Sequence, residues 1–427
     1  MTSSAQLRIA RLAAAPAVHR AFHWLHLHQI QVRRWQLEML RIPAPPFGEQ
    51  ARAEWFLERF QQLGLANPHL DEAGNAMAEF PGSAGDATIA ATSQSPVLLL
   101  SAHLDTVFPN AVPIEPVEIE TRILAPGACD NASGLSALLG LAAAMLHAGI
   151  NPPVPIVFAA NVGEEGEGNL RGMRHLFTAS PYAARIATSL ALEGGGNNAV
   201  VTRALASRRF RVTVKGPGGH SWTDAGAVNP ILVLARALLA LESLDLPRAP
   251  RADPRTTLNV GQISGGTSIN SIPESAMALL DLRSTDPAQL ALTEDALRDA
   301  LSRSILPSPG HSSNQTAPLN PQWTIEVVGD RPGGSLPDRS PLLTTLRAVD
   351  RHLNLRTEPG LGSTDANIPL SLGVPAMAIG TGGLGGGIHT LQEWYDPSGR
   401  NAALRRILLT LLDTANLLAL SHSEAHS

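Results

Sequence analysis

Seven side chains able to hold a cation or move a proton are set against the apolar runs of this sequence. PVLLLSAHLDTV ends in His103 and Asp105, and VPIVFAANVG leads into Glu164 and Glu165. IATSLALEGGG carries Glu193, and VPAMAIG runs through a glycine-rich turn to His389. Asp130, the seventh, stands just before a long helical stretch. In His-x-Asp at the end of a strand, residues i and i+2 project to one side. The carboxylate can hold one ring nitrogen while the other binds a metal, which fixes tautomer and basicity. Adjacent glutamates suit a divided task, because consecutive side chains diverge: one ligates and the other stays free as a base. Singly, each of these residues has a bland explanation in packing or solvation. Their gathering at strand ends makes those explanations improbable and points instead to a metal site with a base beside it.

Such a gathering requires a sheet whose strands end on one edge. The runs at 96–107, 154–163, 186–196 and 374–380 read as buried strands. They alternate with helices, including one over 131–146 capped by Asn131 or Ser133 and stopped by Gly149. This order predicts an α/β domain with a mixed sheet covered on both faces, where ligands collect at the carboxyl ends of strands. From about residue 205 the pattern changes to half-exposed strands, SRRFRVTVKG, TTLNVGQISGG, SAMALLDLRST and WTIEVVG, with helices over 229–244 and 287–306. Their β-α-β-β-α-β order predicts a ferredoxin-like α+β insertion. The expected organisation is a catalytic domain built from 1–204 and 331–427, interrupted by a smaller domain at 205–330. Residues 82–95 and 307–321 read as polar loops.

Composition narrows the function. The 427 residues carry a formal charge of −5, which argues against nucleic acid as the main partner. Lys215 is the sole lysine and its context suits neither a Schiff base nor a phosphate loop; Cys129 is the sole cysteine, which excludes an internal disulfide and a cysteine zinc site. No apolar run approaches the roughly 20 residues that cross a bilayer, so no membrane partner and a cytoplasmic location are expected. Residues 1–37 lack acidic groups and carry several arginines, a weak likeness to an organelle leader; a solvated amphipathic helix is the expectation. His23, His26 and His28 do not share one helical face and are expected to be solvated or half-buried.

The ordered set SAHLDTVFP, GACDNASGLSALL, NVGEEGEGNLRG, LALEGGG, KGPGGHSW, GGTSINSIP, DLRS, STDANIP and GGGIHTLQEWY resembles the co-catalytic zinc peptidase family, metallopeptidase family 20. That family includes aminoacylases, glutamate carboxypeptidase, succinyl-diaminopimelate desuccinylase and tripeptide aminopeptidase, and the likeness covers most of residues 40–400. It implies two divalent ions per chain, zinc first and cobalt or manganese as alternatives. His103 and Glu193 would hold one ion, Glu165 and His389 the other, and Asp130 would bridge them. Asp105 would stand behind His103, and Glu164 would be the general base. The insertion would be a lid and dimerisation module of a homodimer. In it His220 would stabilise the oxyanion, and Asn270 and Arg283 would contact substrate. Glu at position 193 matches acylase and carboxypeptidase relatives, whereas NVGEEGEGNLRG and STDANIPLSLG match the tripeptidase branch. The implied substrate is therefore a small peptide or an N-acyl amino acid.

Four other readings compete. A cysteine hydrolase would use Cys129, which otherwise reads as a small packed residue. No G-x-S-x-G supports a serine hydrolase. Gly380, Gly382 and Gly385 fit G-x-G-x-x-G after a strand, but no convincing helix follows. A non-catalytic binding or scaffold protein on the same fold predicts loss of a ligand or of Glu164, and none is lost.

Overall fold

The computed structural model describes residues 4–80, 95–109, 114–251, 253–305 and 321–426. The polar loops read at 82–95 and 307–321 lie outside these residues except for Ser95 and Pro321. The chain divides into two compact units, Met1–Ala204 with Gly334–Ser427, and Leu205–Gly333.

The first unit opens with four helices, α1 (Ser4–Ala13), α2 (Pro16–Leu27), α3 (Gln29–Leu40) and α4 (Gln50–Leu63). The hairpin β1 (Ala66–Leu70) and β2 (Ala76–Phe80) follows, then β3 (Val97–His103) and the short pair β4 (Val117–Ile119) and β5 (Arg122–Leu124). Next come α5 (Ala132–Ala148), β6 (Ile156–Asn161), α6 (Arg171–Thr178), β7 (Ile186–Leu192) and β8 (Ala199–Ala204). The second unit holds β9 (Ala206–Lys215), β10 (Gly219–His220), α7 (Pro230–Glu242), β11 (Thr256–Gly265), β12 (Ser271–Ile272), β13 (Ser275–Ser284), α8 (Pro287–Ile305) and β14 (Gln322–Arg331). The first unit resumes with β15 (Gly334–Ser335), α9 (Pro341–Leu353), β16 (Glu358–Gly362), α10 (Asn367–Ser371), β17 (Ala376–Ile379), β18 (Leu384–Gly386), β19 (Trp394–Asp396) and α11 (Arg400–His426).

The large sheet runs β1-β2-β6-β3-β7-β17-β8-β15, with β16 also paired to β8. Its central neighbours β6, β3, β7 and β17 are parallel, and β2 and β8 flank them antiparallel. Alternation explains its two covered faces. Leu98, Leu100, Ile156 and Phe158 pack in the cluster that contains α5, whereas Val97, Leu99 and Val157 pack with Met173, Leu176 and Phe177 of α6. Asn131 caps α5 by accepting from Gly134 N at 3.2 Å, and Gly149 ends it in a left-handed conformation at φ 62°.

The N-terminal helices depart from the solvated expectation. Ile9, Ala21, Leu25, Val32, Met39 and Leu40 are fully buried, and α2 and α3 pack on α5. The cause lies in α5, apolar around nearly its whole circumference, so the face turned away from the sheet needs cover. His23 and His26 are exposed and His28 is half-buried, stacked on Trp24.

In the second unit the sheet order is β11-β13-β9-β14, all neighbours antiparallel. With α7 and α8 on one face this is the ferredoxin-like arrangement. The unit extends to Gly333 where the sequence reading stops at 330, because β14 stays on its ladder through Arg331.

Candidate metal centre

Three parallel strands deliver the ligands from adjacent carboxyl ends, and the loop before α5 delivers Asp130. His103 is the last residue of β3, Glu164 and Glu165 follow β6, and Glu193 follows β7. His389 arrives from the hairpin of β18 and β19, ten residues beyond β17. Asp130 divides its two oxygens between the histidines. Its Oδ1 lies 3.0 Å from His103 Nε2, which is also 3.3 Å from Glu193 Oε1. Its Oδ2 lies 3.2 Å from His389 Nε2, which is 3.0 Å from Glu165 Oε1. Two donor sets result, His103–Asp130–Glu193 and Asp130–Glu165–His389, each with its ligand atoms within 4.8 Å of one another. A third grouping, His103–Glu164–Glu165, meets the same distance limit.

These donors fit two divalent cations that share Asp130. Each set offers one imidazole and two carboxylate oxygens, close to the complement of a catalytic zinc site with one position left for water or substrate. Glu193 Oε2 is buried and has no hydrogen-bond partner among the described residues, which suits a ligating oxygen.

The electrostatics show how strongly the cluster favours cations. Burial alone raises the Asp130 carboxyl, but hydrogen bonds to His103 and His389 outweigh it and hold the group below the ordinary range. Burial pushes Glu193 up to about 7 and also raises Glu165, the latter helped by the nearby Asp130 charge. The hydrogen bond to Asp130 is the main cause that raises His389 to about 9. Burial opposes protonation of His103, yet Glu193, Asp105 and Asp130 together raise it well above the usual imidazole value.

Asp105 stands behind His103 and also reaches the next loop. His103 Nδ1 lies 3.0 Å from the Asp105 backbone carbonyl and 3.6 Å from Oδ1. The carboxylate also accepts from the backbone of both neighbouring glutamates, Glu164 N at 3.0 Å and Glu165 N at 2.7 Å. It is buried, and through these bonds β3 fixes the loop that follows β6.

Two further residues escaped the sequence reading. Glu393 is buried and accepts from Gly127 N on one oxygen and from Cys129 N and Asp130 N on the other, each at 2.8 Å. Gln36 is buried in α3 and donates to Ala128 O at 2.8 Å. A glutamate four positions after His389 was the available signal for the first; nothing in the sequence marks the second.

The second unit brings His220 and Asn270 together. His220 pairs with Ser271 on the β10–β12 ladder, and Ser221 N donates to Asn270 O at 3.0 Å. His220 Nδ1 accepts from Trp222 N at 3.1 Å, which places the ring proton on Nε2. Arg283 is not part of this group. It stands near the far end of β13, about 26 Å along the strand from Ser275 at the usual rise. Its Nε donates to Asp281 Oδ2 at 2.7 Å.

Cys129 does not serve as a nucleophile here. It is buried, its Sγ accepts from Gly195 N at 3.2 Å, and burial pushes the thiol up to about 12. The glycines of 380–385 lead into the short strand β18 rather than a helix, so they do not form a dinucleotide turn.

Comparison with known proteins agrees with this geometry. Residues 99–413 match the model of Peptidase family M20/M25/M40. A probable carboxypeptidase of Aspergillus clavatus is 30% identical over 232 residues, 49% of each chain. The chain thus spans about half the length of the curated relatives it matches first. Among solved structures, a tripeptidase of Staphylococcus aureus superimposes with a TM-score of 0.69 at 22% identity, covering 90% of this chain and 98% of that one. A Bacillus subtilis protein described as a dinuclear metal binding peptidase gives 0.63 at 13% identity, covering 91% and 98%. The likeness to the structures establishes the fold, and the match across 99–413 establishes descent: the chain belongs to peptidase family M20/M25/M40.

Proposed function

We propose that this protein is a metal-dependent hydrolase that cleaves a peptide or N-acyl amino-acid amide bond. The observation that carries the reading is the division of Asp130, one oxygen toward His103 and Glu193 and the other toward His389 and Glu165. His103, Glu193, Glu165, His389 and the shared Asp130 would hold two divalent ions, zinc by preference. When bound, the two ions supply a Lewis acid for the scissile carbonyl and lower the pKa of the attacking water. Glu164 accepts the proton of that water and delivers it to the leaving amine. Its backbone N–H is held by Asp105, so its side chain starts from a fixed point. His220, with its proton on Nε2, donates to the developing oxyanion, and Asn270 beside it contacts substrate.

Relatives named carboxypeptidase and solved neighbours named tripeptidase support a small peptide as substrate. A homodimer through the second unit fits the same reading. Strand β11 is an edge of its sheet, exposed from Asn259 to Gly265, with Val260 and Ile263 among its outward residues. A cytoplasmic location belongs to the same proposal; among the described residues no helix is long and apolar enough to cross a membrane.

The test is elemental analysis after dialysis against zinc, with about two ions per chain expected. Wild type is then compared with Glu164→Gln and Glu165→Gln on dipeptides, tripeptides and acyl-amino acids. Glu164→Gln should keep both ions and lose at least about 100-fold in kcat, the scale of general-base removal. Glu165→Gln should lose metal. Full activity after exhaustive chelation overturns the proposal, and the opposite pattern in the two variants reverses the two roles.

A further inference from the structure

We propose that Glu393 and Gln36, from opposite ends of the chain, are positioning residues for the bridging carboxylate Asp130. The inference rests on the two-metal reading above. Asp130 must keep its two oxygens aimed at two pockets, yet it sits on a loop between β5 and α5 with no ladder to steady it. The loop's backbone is instead held one group at a time. Its inward N–H groups at Gly127, Cys129 and Asp130 converge on the Glu393 carboxylate. Converging amides of this kind make an anion-binding nest.

From the other side Gln36 Nε2 takes the Ala128 carbonyl, and Ser133 Oγ takes the Cys129 carbonyl at 2.6 Å. Gln36 is itself fixed, because its Oε1 accepts from the buried guanidinium of Arg400 at 3.2 Å. The Glu393 backbone is tied to the same strand system, with its carbonyl accepting from Ala125 N at 3.0 Å. Glu393 stands four residues after His389, so one hairpin supplies both a ligand of one pocket and the clamp on the carboxylate common to both.

The chemistry of a carboxylate matters here. Glutamine at 393 keeps the shape and one accepting oxygen, but its amide hydrogens would face the Gly127 N–H. Glu393→Gln should therefore release one end of the loop while leaving the core intact. The experiment uses full-length protein loaded with Co²⁺ as the probe, and reads three things: the visible absorption of the bound Co²⁺, its affinity by titration, and kcat against KM on the best substrate of the screen. Outer partners of metal ligands usually change affinity or activity by about 10–100-fold. Glu393→Gln should fall in that range for kcat and for the weaker Co²⁺ site, with KM nearly unchanged and a shifted Co²⁺ spectrum.

Gln36→Leu releases the loop from the opposite face without setting two donors together, and should move the same readouts in the same direction by a smaller factor. It carries the test if Glu393→Gln does not fold. Wild type supplies the control for the underlying reading. If wild type does not bind two Co²⁺ ions, the two-metal reading itself fails. If wild type binds two and both folded variants keep its spectrum, affinities and kcat, the positioning role is overturned.

Discussion

Asp105→Asn tests whether the loop after β6 is held by charge. The native carboxylate accepts from Glu164 N at 3.0 Å and Glu165 N at 2.7 Å, fully buried. A hydrogen bond to a charged group contributes about 1.5–3 kcal/mol. Asparagine is nearly isosteric but offers one oxygen; its amide would face the second N–H. One charged bond is lost and the other becomes neutral, a cost of about 2–4 kcal/mol. Arg52 adds to it. This buried guanidinium is pushed down to about 10 by burial, and the Asp105 charge is what opposes that shift. For a unit of this size the loss corresponds to a fall in Tm of roughly 3–6 °C. The consequence for turnover is larger in ratio, because both glutamates shift together. A displacement near 1 Å at a reacting group costs about 100-fold. Thermal unfolding, zinc content and kcat on one peptide substrate form the assay, with weakened metal binding expected at the pocket that contains Glu165. A variant with unchanged Tm and kcat within about twofold of wild type would refute the account of Asp105 as the anchor of this loop.

Two further outcomes are expected. His220→Ala should keep both metal ions and the fold but lose about 100-fold in kcat, the scale of one oxyanion donor; wild-type kcat in this variant removes the histidine from catalysis. If the histidine serves a partner's site, mixing inactive His220→Ala chains with inactive Glu164→Gln chains restores part of the activity once subunit exchange is demonstrated. Metal affinity should rise with pH. His389 is raised to about 9 and Glu193 to about 7, so at pH 6 both hold protons that a cation must displace. Affinity should climb as pH passes about 7 and continue toward about 9, with proton release visible when calorimetry is repeated in buffers of different ionisation enthalpy. Affinity flat between pH 6 and 9 contradicts this.

The strand ends that meet at the candidate centre were legible because apolar runs in a parallel sheet are long, uninterrupted and terminate in polar residues. His103, Glu165 and Glu193 stand out against VLLLSA, IVFAAN and IATSLAL. The cap at Asn131 and the stop at Gly149 were legible for a local reason, since each is set by backbone conformation within one turn. For Asp105 the i, i+2 spacing gives the side its carboxylate faces, toward His103, but not the two backbone donors of the next loop that also reach it. Gln36 was invisible, and Glu393 offered only its spacing from His389, because their partners are backbone amides and carbonyls distant in sequence, which every residue type carries. The burial of α1 to α3 was missed because the arginine-rich, acid-free stretch 1–37 looks solvated until α5 is seen to need cover. Arg283 illustrates the converse. Its motif matches the family, but sequence does not show that it lies near the far end of β13 from β12, which holds His220's partner Ser271.

The interrupted first unit has a consequence for the order in which the protein is made. On the ribosome β3, β6 and β7 emerge before the whole of the second unit, and β17 and His389 emerge after it. Until then β7 lacks its outer neighbour and leaves an unpaired parallel edge, the kind of edge that recruits foreign strands. The Asp130–Glu165–His389 pocket meanwhile has two of its three donors. The second unit has its own sheet and apolar core, so it can fold while the first waits for its C-terminal part. A nascent chain stalled before residue 334 thus carries an open β7 edge and lacks a complete second pocket. The last candidate donor of the centre, His389, comes with the last tenth of the chain, after every other one has emerged.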